Sequence, residues 1–125
     1  DLIHECRLLG GCKVGEAKIT RGYRLPAKFI IHTVGPIWNG GSNNEAGLLA
    51  SCYRNSLTLA CAEGISSIAF PSISTGIFGY PIDQAARIAV ETCGGFLASH
   101  SELVQVIFCC FSPHDLSIYE NILQP

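Results

Sequence analysis

Three apolar segments alternate with three amphipathic segments along this chain of 125 residues, and this order restricts the possible folds more than any other feature. The apolar segments are rich in Ile, Val and Phe, the composition of β-strands, and comprise residues 28–34, 67–70 and 103–111. The amphipathic segments repeat apolar side chains three and four positions apart, as helices do, and comprise residues 48–60, 86–97 and 116–123. The alternation predicts an α/β fold with parallel strands and right-handed crossovers.

Local signals refine this prediction. The run at 28–34 is almost continuously β-branched or aromatic, which is typical of a strand buried on both faces of a parallel sheet. Asn44 is placed to cap the helix that follows, and Gly64 is placed to end it. Two shorter patterns come earlier in the chain: a helix-like spacing at 3–9 and a short strand at 16–20.

Composition restricts the class of protein. Apolar residues make up 48% of the chain and charged residues 14%, which is sufficient for a hydrophobic core and a single domain over residues 1–125. No apolar run approaches the roughly 18 residues of a membrane-spanning helix, and the first residues lack a signal-peptide pattern, so we expect no membrane partner. The net charge of −2 argues against broad nucleic-acid binding. Six of the eight Lys and Arg lie in residues 1–28, where a solvated surface explains them more readily than an anionic ligand.

Cysteine usage indicates the compartment. The seven cysteines are odd in number, several lie inside apolar runs, and no Cys-x-x-Cys occurs. We therefore expect a reducing, cytoplasmic location, no metal site and no cofactor. The absence of an initiating Met further suggests a trimmed or partial chain.

Three loops follow predicted strands and therefore leave the same edge of the sheet. In open α/β sheets, ligands bind beyond the carboxyl ends of the strands. The loops in question are 35–44, 71–81 and 112–115. Any ligand site is expected to be built from them.

The sequence of loop 71–81, PSISTGIFGYP, favours an anion. Gly76 and Gly79 let the backbone approach a ligand closely, and successive N–H groups in such a bend form an anion-binding nest. The helix after Pro81 adds the positive end of its dipole, and hydroxyls are available from Ser72, Ser74 and Thr75. No Lys follows Gly76, so the loop is not a Walker motif, and a diphosphate used as a binding handle fits better than one that is hydrolysed. A tight strand-to-helix connection without any ligand explains the composition equally well.

Aromatic side chains offer a second signal. Phe78 lies between two glycines, where it is better placed to cover a sugar or base than to enter the core, although packing across the loop remains an alternative. Phe111, at the end of the last apolar segment, is equally consistent with stacking on a base and with ordinary core packing. His32 lies within a predicted strand and is expected to be a core histidine rather than a catalyst.

In three segments the chain resembles the macrodomain family, in its branch of MacroD-type ADP-ribosyl hydrolases and O-acetyl-ADP-ribose deacetylases. These segments are GEAKITRGYRLPAKFIIHTVGPIW at 15–38, AFPSISTGIFGYP at 69–81 and VIFCCFSPHDLSIYENIL at 106–123. The resemblance runs over nearly the whole chain in register. It implies a three-layer α/β/α fold around a mixed, mostly parallel sheet. It also implies a hydrolase that removes mono-ADP-ribose from acidic protein side chains and deacetylates O-acetyl-ADP-ribose.

The resemblance also implies roles for single residues. The loop that clasps the diphosphate and distal ribose corresponds to Ser74, Thr75, Gly76, Ile77 and Phe78, with Phe78 over the ribose. Phe111 corresponds to the position beside the adenine. With Ser72 and Gly79, these form the predicted ligand-binding set. The expected partners are ADP-ribose or O-acetyl-ADP-ribose and mono-ADP-ribosylated proteins, bound by a monomer.

One part of the family pattern does not occur in this sequence. The family carries an Asn-Ala-Ala-Asn segment and a Gly-rich loop ending in Val-Asp-Gly, whose Asn and Asp position the distal ribose and activate water. Neither motif is present in residues 1–125, so the chain is expected to correspond to the C-terminal two-thirds of a macrodomain.

The resemblance therefore implies that the catalytic Asn and Asp lie before Asp1. Asp1 itself corresponds to a position further along the helix that follows the Gly-rich loop, so the role of the family's Asp is not transferred to it. No catalytic residue is assigned within this chain. The alternatives to a hydrolase are a non-catalytic ADP-ribose reader and an inactive fragment.

Overall fold

The computed structural model describes residues 12–22, 29–103 and 105–124. These residues form four strands and three helices, in the order two strands, helix, strand, helix, strand, helix. The strands are β1 (Ala17–Arg21), β2 (Phe29–Thr33), β3 (Ser67–Phe70) and β4 (Gln105–Phe108). The helices are α1 (Glu45–Ala62), α2 (Ile82–Ser99) and α3 (Pro113–Leu123). None of these described helices is long and apolar enough to cross a membrane.

The strands form two separate pairs. β1 and β2 are antiparallel, with Ile19 opposite Ile31, whereas β3 and β4 are parallel, with Ala69 opposite Ile107. β4 follows β3 after the long helix α2, as a parallel connection requires, while only seven residues join β1 to β2 and suit an antiparallel pair. The α/β class is confirmed, but the described residues contain no continuous central sheet.

The predicted burial of residues 28–34 on both faces is wrong for the part that is described. Every residue of β2 is only half-buried. Its sequence suits a central strand, but among the described strands β2 pairs only with β1, and β2 lines a cavity. Similarly, Ile107 in β4 remains 41% exposed.

The hydrophobic core lies mainly between the two long helices and β3. Leu49, Cys52 and Leu57 of α1 are inaccessible to solvent. α2 presents the small side chains of Ala86 and Ala89 on the same side, which allows the two helix backbones to approach closely. This packing fixes both ends of the loop that joins β3 to α2.

Most element ends follow the sequence signals. Gly64 takes a positive φ of 71° just after α1, as predicted. Asn44 does occupy the N-cap position of α1, but its side chain makes no capping hydrogen bond, because its backbone is in the left-handed region. The strand expected at 103–111 is shorter, since the structure has strand only at Gln105–Phe108. The short strand at 16–20 is confirmed within one residue, and the helix predicted at 3–9 lies outside the described residues.

Candidate ligand-binding site

Loop 71–81 folds into a tight double bend between β3 and α2. Ser74 and Gly79 have positive φ angles of 68° and 76°. Two hydrogen bonds close the bend: Gly79 N–H donates to Gly76 O over 3.0 Å, and Tyr80 N–H donates to Ser74 O over 2.9 Å. Within the described part of the chain, the N–H groups of residues 75–78 have no acceptor. Four consecutive peptide donors are therefore free to bind an anion.

The side chains of the bend divide between solvent and protein. Ile77 is fully exposed and Phe78 is 37% exposed, so neither is held in the core. Thr75 donates its hydroxyl to Ser72 Oγ over 2.7 Å. Ser74 Oγ is buried without a partner and lies against the backbone of Gly35, so this hydroxyl faces the neighbouring loop. Peptide groups rather than hydroxyls dominate the open face of the bend.

Phe111 lies on the same edge of the molecule. Cys109 N–H donates to Phe70 O over 2.8 Å, so the carboxyl ends of β3 and β4 are adjacent. Loop 71–81 begins one residue beyond this bond, and Phe111 follows two residues beyond it with 84% of its surface exposed. An exposed ring beside four free amides suits a ligand that has an anionic part and a flat apolar part.

The neighbouring loop 35–44 supports the bend. Trp38 N–H donates to Phe78 O over 2.8 Å, and the Trp38 ring lies 4.6 Å from the ring of Tyr80. The position of Phe78 is thus set by a backbone contact with a second loop. The sequence offered no signal for this contact beyond the placement of both loops on one edge.

The side chain of Glu45 holds loop 35–44 in place through hydrogen bonds. Its buried carboxylate accepts hydrogen bonds from the N–H groups of Asn39 (2.7 Å), Gly41 (3.0 Å) and Asn43 (2.6 Å). These bonds, that of Asn39 most of all, outweigh desolvation and hold the pKa of Glu45 below its usual value. Sequence analysis did not identify this residue, because a glutamate in the first turn of a helix is usually a surface residue favoured by the helix dipole.

Two buried tyrosines contact the first half of the bend. The hydroxyl of Tyr53 in α1 interacts with the backbone of Ile73 and with the hydroxyl of Tyr119 in α3, which also interacts with the side chain of Ser72. Burial raises the pKa of both phenols, so both remain neutral and act as hydrogen-bonding groups. Two helices far apart in sequence therefore hold the first half of the loop.

Loop 71–81 offers an anion peptide dipoles and no cation of its own. No Lys or Arg occurs in residues 71–81. α2 begins at Ile82 directly after the bend, which brings the positive end of its dipole close to the free amides. Such a site attracts an anion without a strong local charge.

Carboxylates are scarce in the three loops that leave the ends of the predicted strands. The sequences of loops 35–44, 71–81 and 112–115 contain only one, that of Asp115, which lies in the first turn of α3. Asp1, to which the sequence analysis transferred no catalytic role, lies outside the described residues, which begin at residue 12. The placement of the catalytic Asn and Asp before Asp1 therefore stays a prediction.

Comparison with known proteins gives a consistent result. Residues 1–89 match the family model described as Macro domain. The chain is 53% identical over 125 residues to the ADP-ribose glycohydrolase MACROD2 of Xenopus laevis, covering 98% of this chain and 30% of that protein. It is 47% identical over 126 residues to the O-acetyl-ADP-ribose deacetylase of Cronobacter sakazakii, covering 98% of this chain and 70% of that protein.

Among solved structures, the Oceanobacillus iheyensis macrodomain with ADP superposes with a TM-score of 0.89 at 48% identity. The alignment covers 98% of this chain and 66% of that one, so the chain spans about two thirds of the length of that macrodomain.

Proposed function

The chain belongs to the macrodomain family, and from that premise we propose that loop 71–81 binds the diphosphate of ADP-ribose in a protein that hydrolyses ADP-ribosyl esters. The proposed substrates are mono-ADP-ribose on acidic protein side chains and O-acetyl-ADP-ribose. Relatives named as an ADP-ribose glycohydrolase and as an O-acetyl-ADP-ribose deacetylase support this class of reaction.

The observation that carries the proposal is the set of four free N–H groups at residues 75–78. A diphosphate presents several acceptor oxygens, and a nest of peptide donors binds them without a cation. Phe78 and Phe111 lie on the same edge with exposed rings, at the distal ribose and the adenine in this proposal. In this proposal the loop binds the diphosphate, and the ester end of the ligand remains free to react.

In this scheme, the residues of this chain bind and orient, and they do not attack. Ester hydrolysis needs a positioned base that removes a proton from water. Glu45 is the one buried carboxylate among the described residues, and its oxygens already accept three peptide N–H groups. The base is therefore proposed to come from the Val-Asp-Gly loop of the family pattern, which residues 1–125 do not contain.

The engagement of Glu45 also favours a second candidate function, a reader that binds ADP-ribose without hydrolysing it. The two candidates share the binding loop and differ only in turnover. Release of ADP-ribose from a mono-ADP-ribosylated protein separates them. We expect the 125-residue chain to bind without turnover, and we expect turnover once the Val-Asp-Gly loop is supplied in a longer protein.

Titration calorimetry with ADP-ribose, ADP and ATP tests the binding step. The variant Ile77→Pro removes one peptide donor at a residue whose side chain is fully exposed, and we expect it to weaken ADP-ribose binding by about tenfold or more. Ser101→Pro is the matched control. Ser101 is exposed and lies shortly before β4, at the end of the sheet opposite to loop 71–81. The residue before it, His100, is extended, as a residue that precedes proline must be. Equal affinity of the native chain and Ile77→Pro would exclude the nest as the diphosphate site.

A further inference from the structure

Loop 35–44 takes its conformation from two sets of hydrogen bonds. The loop contains no strand or helix, and among the described residues 35–43 make one backbone hydrogen bond, from Trp38 N–H to Phe78 O. Three further N–H groups of the loop are bonded to the buried carboxylate of Glu45. Glu45 therefore determines where the loop lies, and Trp38 connects the loop to the ligand-binding bend.

The hydrogen bonds of Glu45 require an ionised carboxylate. Its Oε2 accepts the N–H groups of Asn39 and Gly41, and its Oε1 accepts that of Asn43. Both oxygens are thus acceptors, whereas a glutamine of the same size has one acceptor oxygen and one donor NH₂ group. The variant Glu45→Gln must therefore place a donor against at least one of these N–H groups, and the loop has to move.

The two halves of loop 71–81 have separate supports. Ser72 and Ile73, in the first half, interact with the buried hydroxyls of two tyrosines in α1 and α3. In the second half, the peptide group that joins Phe78 to Gly79 is fixed on both sides, since its C=O accepts from Trp38 and its N–H donates within the bend. A displacement of Trp38 therefore moves Phe78 and leaves the first half of the loop in place.

We propose that Glu45 is a positioning residue that makes the site select ADP-ribose over ADP. The inference rests on the proposed function, in which residues 75–78 bind the diphosphate and Phe78 covers the distal ribose. ADP has the same diphosphate and lacks the distal ribose. Glu45 acts on this ribose contact through Trp38 and Phe78, without touching the ligand itself.

Calorimetry of the 125-residue chain with ADP-ribose and with ADP tests the inference. Glu45→Gln should raise the Kd for ADP-ribose about tenfold and that for ADP by less than about twofold. Glu91→Gln makes the same chemical change at an exposed position of α2 and should leave both values unchanged. A residue that only stabilises the fold would not alter the ratio of the two affinities.

Two adjacent glycines of the loop provide a second, independent arm. Gly40 and Gly41 have positive φ angles of 79° and 89°, so alanine strains the backbone at both positions. A Cβ at Gly41 would lie 3.1 Å from the Trp38 ring, whereas a Cβ at Gly40 meets no atom within 4 Å. Gly41→Ala should therefore weaken ADP-ribose binding more than ADP binding, and Gly40→Ala should keep the native ratio of affinities.

The outcomes separate this inference from the proposed function. A native chain that binds ADP-ribose no better than ADP would overturn both. A native preference that persists in Glu45→Gln and in Gly41→Ala, or a loss of affinity that is equal for the two ligands, would overturn this inference alone. Melting curves verify that each variant folds, and the glycine pair decides the question if Glu45→Gln does not.

Discussion

Gly35 offers a direct test of how loop 71–81 is held in place. This buried residue lies just beyond β2, and a Cβ atom at its position would overlap Ser74 Oγ and lie 2.6 Å from Cγ2 of Ile73. Real Cβ atoms do not approach other atoms so closely, so Gly35→Ala must displace the start of the bend. Ser74 O is also the acceptor that closes the bend on Tyr80 N–H, and its displacement disturbs the nest.

The expected magnitude follows from overpacking. One extra methyl group in a well-packed site costs about 1–3 kcal/mol. For a domain of this size, about 4 °C of melting temperature corresponds to each kcal/mol, so Gly35→Ala should melt roughly 4–12 °C lower. Since the displaced residue belongs to the binding loop, ADP-ribose affinity should fall by about tenfold.

Thermal unfolding and calorimetry with ADP-ribose measure the two effects. Gly94→Ala is the matched control, because Gly94 is exposed within α2 and a Cβ there meets no atom within 4 Å. The same chemical change should stabilise the protein at this position by up to about 1 kcal/mol and leave affinity unchanged. A Gly35→Ala protein with native melting temperature and native affinity would refute the role assigned to this contact.

Three further predictions rest on separate features. The pKa of Glu45 is lower in the folded protein than in the unfolded chain, where it is about 4.3. The ionised carboxylate therefore stabilises the fold at pH values above about 4.3, and this stabilisation is lost as the pH falls below that value. The melting temperature of Glu45→Gln should therefore lie below that of the native chain at pH 7, and the difference should be smaller at pH 3. The control Glu91→Gln, at an exposed position, should match the native melting temperature at both pH values. A difference for Glu45→Gln that does not change with pH would contradict this. Ser112 accepts a hydrogen bond from Asp115 N–H at the start of α3 over 3.1 Å, so Ser112→Ala should cost about 1 kcal/mol in urea unfolding, and an unchanged midpoint would exclude a capping role. Burial raises the pKa of the Cys93 thiol to about 12, so iodoacetamide at pH 8 should label the exposed Cys109 and spare Cys93 until the protein unfolds, as peptide mass mapping would show.

Local patterns predicted the elements but not how the strands combine. Apolar runs and helical spacing located β3 and the three helices, because short-range periodicity depends only on which faces are buried. The same approach placed residues 28–34 inside a sheet, where the structure has a half-buried β2 beside a cavity. Sequence composition records the environment that a strand is suited to, whereas pairing depends on which other strands are present.

The candidate site shows the same division. The glycines and the strand end identified loop 71–81, and its free amides agree with the nest that was predicted. The roles assigned to single residues of the loop and to Phe111 remain predictions. The supports under the loop, Glu45 and the pair of Tyr53 and Tyr119, were not predicted, because each acts through a contact between distant segments that no local pattern encodes.

The contact between Trp38 and Tyr80 gives the molecule an optical reporter of its own. Trp38 is the sole tryptophan of the chain, its ring lies 4.6 Å from that of Tyr80, and its peptide N–H is bonded to Phe78 O. Indole emission responds to the polarity and the neighbours of the ring, and Tyr80 in the loop that follows β3 is one of these neighbours. Rearrangement of that loop therefore changes the intrinsic fluorescence of the unlabelled protein, and stopped-flow mixing with ADP-ribose can follow its rate.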